Sequence, residues 1–147
     1  MNLKRRFISS NVPRPRTQSL PSFDQKMPLF LEIGCGVGFH PLQFSKQNPK
    51  HQMIAIEQTT NKFSKFYKRY LNHQCPENLY PFHDNAVHLI THLIKKESIH
   101  KYFILYPNPN PKKSDQNKRW HAMPFMGKLL ETMVPGGIIE FATNESF

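Results

Sequence analysis

Five short apolar runs alternate with helical stretches along most of this 147-residue chain, and nothing else limits its fold so tightly. The runs are LFLEI (29–33), QMIAIE (52–57), NLYPFH (78–83), KYFILY (101–106) and IIEFAT (138–143). Between the first two lies PLQFSKQ (41–47), whose Pro41 suits the first turn of a helix. In NKFSKFYKRYL (61–71) the residues Phe63, Phe66, Tyr67 and Tyr70 recur at helical spacing, with Lys62, Lys65, Lys68 and Arg69 on the other face. AVHLITHLI (86–94) and FMGKLLETM (125–133) complete the helical set, and Pro135-Gly136-Gly137 predicts a turn into the fifth strand. Pro81 weakens the third run as a strand or assigns it to a sheet edge, because proline cannot donate to a ladder. Strands joined through helices by short connections imply a parallel sheet covered on both faces, an α/β fold.

The rest of the chain reads differently. Residues 1–27 hold Lys4, Arg5, Arg6, Arg14, Arg16 and Lys26 against one acid, Asp24, with Pro13, Pro15 and Pro21 among them. Such a segment is expected to be an extended basic arm ahead of a domain spanning 28–147. It suits a tail that contacts phosphates, and equally a flexible terminus. Over the whole chain, 20 Lys and Arg face 10 Asp and Glu, a net charge of +10 that favours a polyanionic partner, nucleic acid before membrane. Two cysteines, Cys35 and Cys75, make no disulfide framework, and the basic N-terminus has no apolar stretch behind it. No uncharged apolar run is long enough to span a bilayer, so a reduced, cytoplasmic protein is expected.

Chemistry concentrates after the strands. Gly34, Gly36 and Gly38 follow the first strand and precede a helix, where glycine lets the backbone turn tightly and approach a ligand. Glu57 ends the second strand 21 residues after Gly36, the place from which a carboxylate accepts both hydroxyls of a ribose. Asp84 ends the third, level with these at the carboxyl edge of the sheet. A dinucleotide fingerprint is G-x-G-x-x-G, whereas this turn is Gly-x-Gly-x-Gly with Glu32 just before it. An acid beside the loop is poor company for a pyrophosphate and suits a cationic, amino-bearing ligand such as S-adenosylmethionine.

The stretches LEIGCGVG, AIEQ, FHDNA, YPNPNPKKSDQNKRW and FATNE together resemble the bacterial tRNA (guanine-N7)-methyltransferase family, from about residue 29 to the end. The glycine and acid signature is common to many methyltransferases, while the Pro-x-Pro followed by a basic cluster is far more particular to this family. The resemblance implies a Rossmann-like class I methyltransferase fold, S-adenosyl-L-methionine as cofactor and tRNA as partner. By position it implies cofactor contacts from Glu32, Gly34, Gly36, Gly38, Glu57, Asp84, Asn85 and Asn108. It gives Asn108 the catalytic role at the target base, and gives Lys112, Lys113, Arg119, Thr143 and Asn144 to the substrate. Lys118 belongs to the same basic run, whose phosphate contacts position a substrate without reading its sequence.

Three departures from the family pattern stand out. Asn108 replaces the Asp of a Pro-Asp-Pro motif, and Asn144 replaces the Asp that follows the strand-ending Thr143. An amide offers one acceptor oxygen and two donors without charge, which weakens its hold on the guanine edge or suits another target such as an exocyclic amine. The chain also stops where the family's fold continues into a final antiparallel strand pair and a Thr-x-x-Glu motif, so either a longer natural protein, with this domain incomplete at its C-terminus, or a homodimer or partner subunit covering the open edge is expected. A catalytically weak RNA-binding subunit is the reading from another class. His88 and His92 have metal-ligand spacing but no further ligand to complete a set, and no metal is expected. Cys35 has no His–acid pair to make it a nucleophile. Trp120 and His121 could stack on a base, although a Trp that opens a helix more often caps a core.

Overall fold

The computed structural model describes residues 7–105 and 124–142. In chain order the elements are β1 (Leu29–Ile33), α1 (Phe39–Gln47), β2 (Gln52–Glu57), α2 (Thr60–Asn72), β3 (Leu79–His83), α3 (Ala86–Leu93), β4 (Ile99–Leu105), α4 (Met126–Thr132) and β5 (Met133–Ala142). The strands form one parallel sheet in the order β3-β2-β1-β4-β5. The direction of winding reverses between β1 and β4, and the crevice beyond the strand ends at such a switch point is where open α/β sheets bind ligands.

Alternating side chains of the central strands feed two cores. From β2, Ile54 and Ile56 join Leu31, Ile33, Tyr102 and Ile104 beneath α3 and α4. Met53 and Ala55 point the other way, with Phe103, Leu42 of α1 and Phe66 of α2. All six β2 residues are buried, as a strand covered on both faces requires. Tyr102 is fully buried, and its hydroxyl is satisfied by Thr132 Oγ1 at 2.6 Å.

Three features differ from the sequence reading. Gly136 and Gly137 lie inside β5: the register jumps from Ile99 opposite Met133 to Lys101 opposite Ile138, so the predicted turn is an irregularity in one longer strand. Of the four aromatic residues at helical spacing on α2, only Phe66 is buried. The N-terminal segment is extended, with a single 3-10 turn at Ser9–Asn11, but it is not detached. Phe7, Leu20 and Phe23 pack against the α3/α4 core, Phe23 edge-on to Tyr80 at 4.9 Å. The Gln52 amide accepts from Asp24 N at 2.8 Å and donates to Asp24 O at 2.9 Å and Met27 O at 3.1 Å, fixing the arm to the start of β2. As expected for a proline-containing strand, β3 lies at the sheet edge, with β2 as its neighbour among the described residues.

Candidate active site

Beyond Ile33 the chain leaves β1 and immediately crosses to β2. The amides of Gly34 and Cys35 both donate to Ile56 O, at 2.9 and 3.1 Å. Gly36 then donates to Glu57 Oε1 at 2.9 Å, and Thr59 N donates to Glu57 Oε2 at 2.7 Å. Asp84 N donates to the main-chain oxygen of Glu57 at 3.2 Å. Gly36, Glu57 and Asp84 are therefore brought together from three separate strand tips, as the sequence predicts.

Two glycines have distinct duties in the turn. Gly38 sits at φ +91, and a Cβ there would lie 2.1 Å from Cδ1 of the buried Phe66, so it lets the loop close onto α2. Gly36, at φ +62, has no heavy atom within 4 Å of the position a Cβ would take, so its bare backbone borders open space. A ligand can approach the main chain there.

The acids differ in how much acceptor capacity they retain. An ionised carboxylate has about four lone-pair sites. Glu57, 6% exposed, spends two on Gly36 and Thr59, which leaves room for a vicinal diol. Asp84 is saturated. Its Oδ1 accepts from Arg16 N at 3.2 Å and Asn85 N at 2.8 Å, and its Oδ2 from Thr17 N at 2.9 Å and Thr17 Oγ1 at 2.7 Å. Burial alone would raise the Asp84 pKa, but the bonds from Thr17, Asn85 and Arg16 outweigh it and hold the carboxyl below its usual range. Asn85 is committed as well, capping α3 by accepting from His88 N at 3.1 Å.

Glu32 is almost wholly buried and bonded to His40 Nδ1. Burial raises its pKa, and the His40 contact opposes the rise. Cys35 is buried beside Glu32 and Glu57, and burial followed by those two charges pushes its thiol well up. It is no thiolate nucleophile. His92 Nε2 lies 2.7 Å from Val12 O and so holds the arm, and no cluster of three metal-ligating side chains exists among the described residues. A groove of about 720 Å³ lies elsewhere, between arm residues 18–27 and the approach to β4, and none of Gly36, Glu57 or Asp84 lines it.

Sequence reasoning missed Thr17, Arg16 and His40. Only the arm's unpaired backbone donors, which a proline-rich extended segment must satisfy somewhere, pointed in their direction. Asn108, Lys112, Lys113, Lys118, Arg119, Trp120, His121, Thr143 and Asn144 lie outside the described residues.

A parallel 3-2-1-4-5 sheet with a glycine turn at the switch point and an acid at the tip of β2 defines a doubly wound α/β protein. The chain belongs to the family described as "Putative methyltransferase", whose model matches residues 26–146. It is 27% identical over 134 residues to a tRNA (guanine-N(7)-)-methyltransferase of Mycobacterium avium, covering 91% of this chain and 51% of that protein. It is 34% identical over 117 residues to the protein of the same name from Mycoplasma pneumoniae, covering 79% and 55%. The chain thus spans about half the length of the curated relatives it matches. The same fold is seen in the Haemonchus contortus phosphoethanolamine N-methyltransferase 2, at TM-score 0.56 and 16% identity over 80% of this chain and 25% of that one. Among the described residues no helix is long and apolar enough to cross a membrane.

Proposed function

We propose that this chain is the catalytic core of an S-adenosylmethionine-dependent tRNA methyltransferase whose target is N7 of a guanine. The observation that carries the reading is the Gly36–Glu57 junction at the switch point, in a chain of this family whose relatives bear that activity in their names. The site fits the donor. Open space over Gly36 admits an adenosine against bare backbone, and Glu57 keeps two acceptor sites for the ribose hydroxyls. Glu32 supplies a carboxylate at the end of β1 for an ammonium group.

When bound, the cofactor supplies a sulfonium-activated methyl group. The chain's own task is to hold and orient. Guanine N7 has a free lone pair, so no general base is needed, and alignment of nucleophile, methyl carbon and leaving sulfur can be worth about 7–11 kcal/mol. Asn108 would orient the base, and Lys112, Lys113 and Arg119 would take the RNA backbone, with Thr143 and Asn144, which follow β5 in the sequence, completing the substrate side. Asp84 acts here through the arm it fastens, because its own acceptor sites are filled.

Calorimetry with S-adenosylmethionine and S-adenosylhomocysteine, followed by labelled methyl transfer to unmodified tRNA, tests the reading. Saturable binding and transfer, both abolished in Glu57→Ala, are expected. RNA binding without saturable donor binding would replace it with a non-catalytic RNA-binding subunit. Asn at position 108 favours an amino group as the alternative target, and mass spectrometry of the methylated nucleosides separates ring from exocyclic products.

A further inference from the structure

Three aromatic side chains of α2 form a row whose middle member, Tyr67, is exposed, while Phe63 and Tyr70 are half-buried against the core around Phe66. Phe63 stacks on His83 at the end of β3, with ring centroids 4.9 Å apart and planes 13° from parallel. Tyr67 follows at 5.8 Å and 27°, and Tyr70 at a further 5.7 Å and 33°. At the other end Arg16 of the arm places Nη1 3.2 Å from both ring nitrogens of His83. Tyr67 is 43% exposed, too much for a ring whose purpose is to fill a core.

A row of basic residues lies on the opposite flank of the helix. Lys62, Lys65 and Arg69 are three and four residues apart and share a face of α2. Arg69 is anchored, donating to Val37 O at 3.0 Å with its guanidinium 4.3 Å from the centre of the Phe39 ring. Lys62 and Lys65 are exposed, as is Lys68 between the rows, and no ion pair among the described residues engages any of them. The sequence of α2, TNKFSKFYKRYLN, contains no acid at all.

An exposed tyrosine ring with unpaired cations across the solvent-facing side of the same helix is complementary to a polyanion that also carries flat apolar rings. Single-stranded nucleic acid meets both conditions, because rings take bases and cations take phosphates. The rows begin at the candidate site, where α2 starts three residues after Glu57 and His83 precedes Asp84. We infer that the solvent-facing side of α2 is an RNA-binding surface, with Tyr67 packing against a base outside the target nucleotide at one flank while Lys62 and Lys65 contact the phosphates at the other. The inference rests on the tRNA reading above and names a surface for that substrate built from α2 alone.

The test is fluorescence anisotropy of labelled unmodified tRNA with the full chain over a salt series, with calorimetry against S-adenosylhomocysteine in parallel. Tyr67→Ala is expected to weaken tRNA binding about 5- to 100-fold, and Tyr67→Phe to leave it unchanged. The pair Lys62→Gln and Lys65→Gln is expected to reduce the slope of log K against log salt by about 1.4–1.8. Donor affinity stays at the parent value in all of them. Parent-like tRNA binding by both Tyr67→Ala and the lysine pair overturns the α2 surface and leaves the methyltransferase reading intact. Equal losses in Tyr67→Phe and Tyr67→Ala overturn the stacking role. A parent chain that binds donor but no RNA overturns both the surface and the choice of tRNA.

Discussion

Gly38 shows how much a single hydrogen can decide. Its φ of +91 lies where an L side chain is strained, and the space a Cβ needs is already filled by the Phe66 ring. Phe66 has no free volume to retreat into, being fully buried. Backbone strain of about 1–3 kcal/mol and overpacking of similar size add, so Gly38→Ala is expected to lower stability by about 2–6 kcal/mol, read from urea unfolding. Gly36→Ala, which meets open space, is expected to cost only the strain and to weaken donor binding more than folding. Glu57 and the glycines were legible from sequence because residue type, spacing and strand position all constrain one local turn. The burial of Glu32 against His40 was not, since nothing in an isolated His marks which neighbour it will face.

At the level of elements, the arm and the tip of β3 are one unit. The Thr17 hydroxyl bonds a buried, charged oxygen, and removing it in Thr17→Val is expected to cost about 1.5–3 kcal/mol locally. Hydrogen exchange should show the loss as weaker protection of the arm, with the β2 amides unaffected. The pH dependence has a definite sign. Asp84 has a folded pKa below its unfolded value of about 3.9, so its contribution is complete above that value and disappears as pH falls through the lower one. The Asp84 share of arm protection should therefore be the same at pH 7 and pH 5 and decline only below about pH 4. The arm's extended course was predictable from its prolines, but its docking depends on partners 25 to 80 positions away, joined by polar contacts that leave no periodic trace. The aromatic row of α2 was hidden for a related reason: periodicity groups Phe63, Phe66, Tyr67 and Tyr70 on one face, and only packing against β3 reveals which ring enters the core.

For the molecule as a whole, the alternation of runs determined the class of fold, because short connections between strands and helices leave few parallel arrangements. At the margin of the sheet the expected consequence is association. β5 is paired on the β4 side among the described residues, and it presents Ile138 at 57% and Phe141 at 41% exposure. An edge strand with apolar residues outward invites pairing with another chain. Sedimentation of this 147-residue chain is expected to show concentration-dependent self-association. Replacing Ile138 and Phe141 by Thr should reduce it while shifting stability by less than about 1 kcal/mol, as surface changes do.

The bond between Thr17 and Asp84 also sets an order of events. Residue 17 leaves the ribosome 67 residues ahead of its acceptor, a delay of about 3–13 s at ordinary rates of translation. Through that interval the arm has nothing to hold at this point, so a segment made early is among the last to be secured.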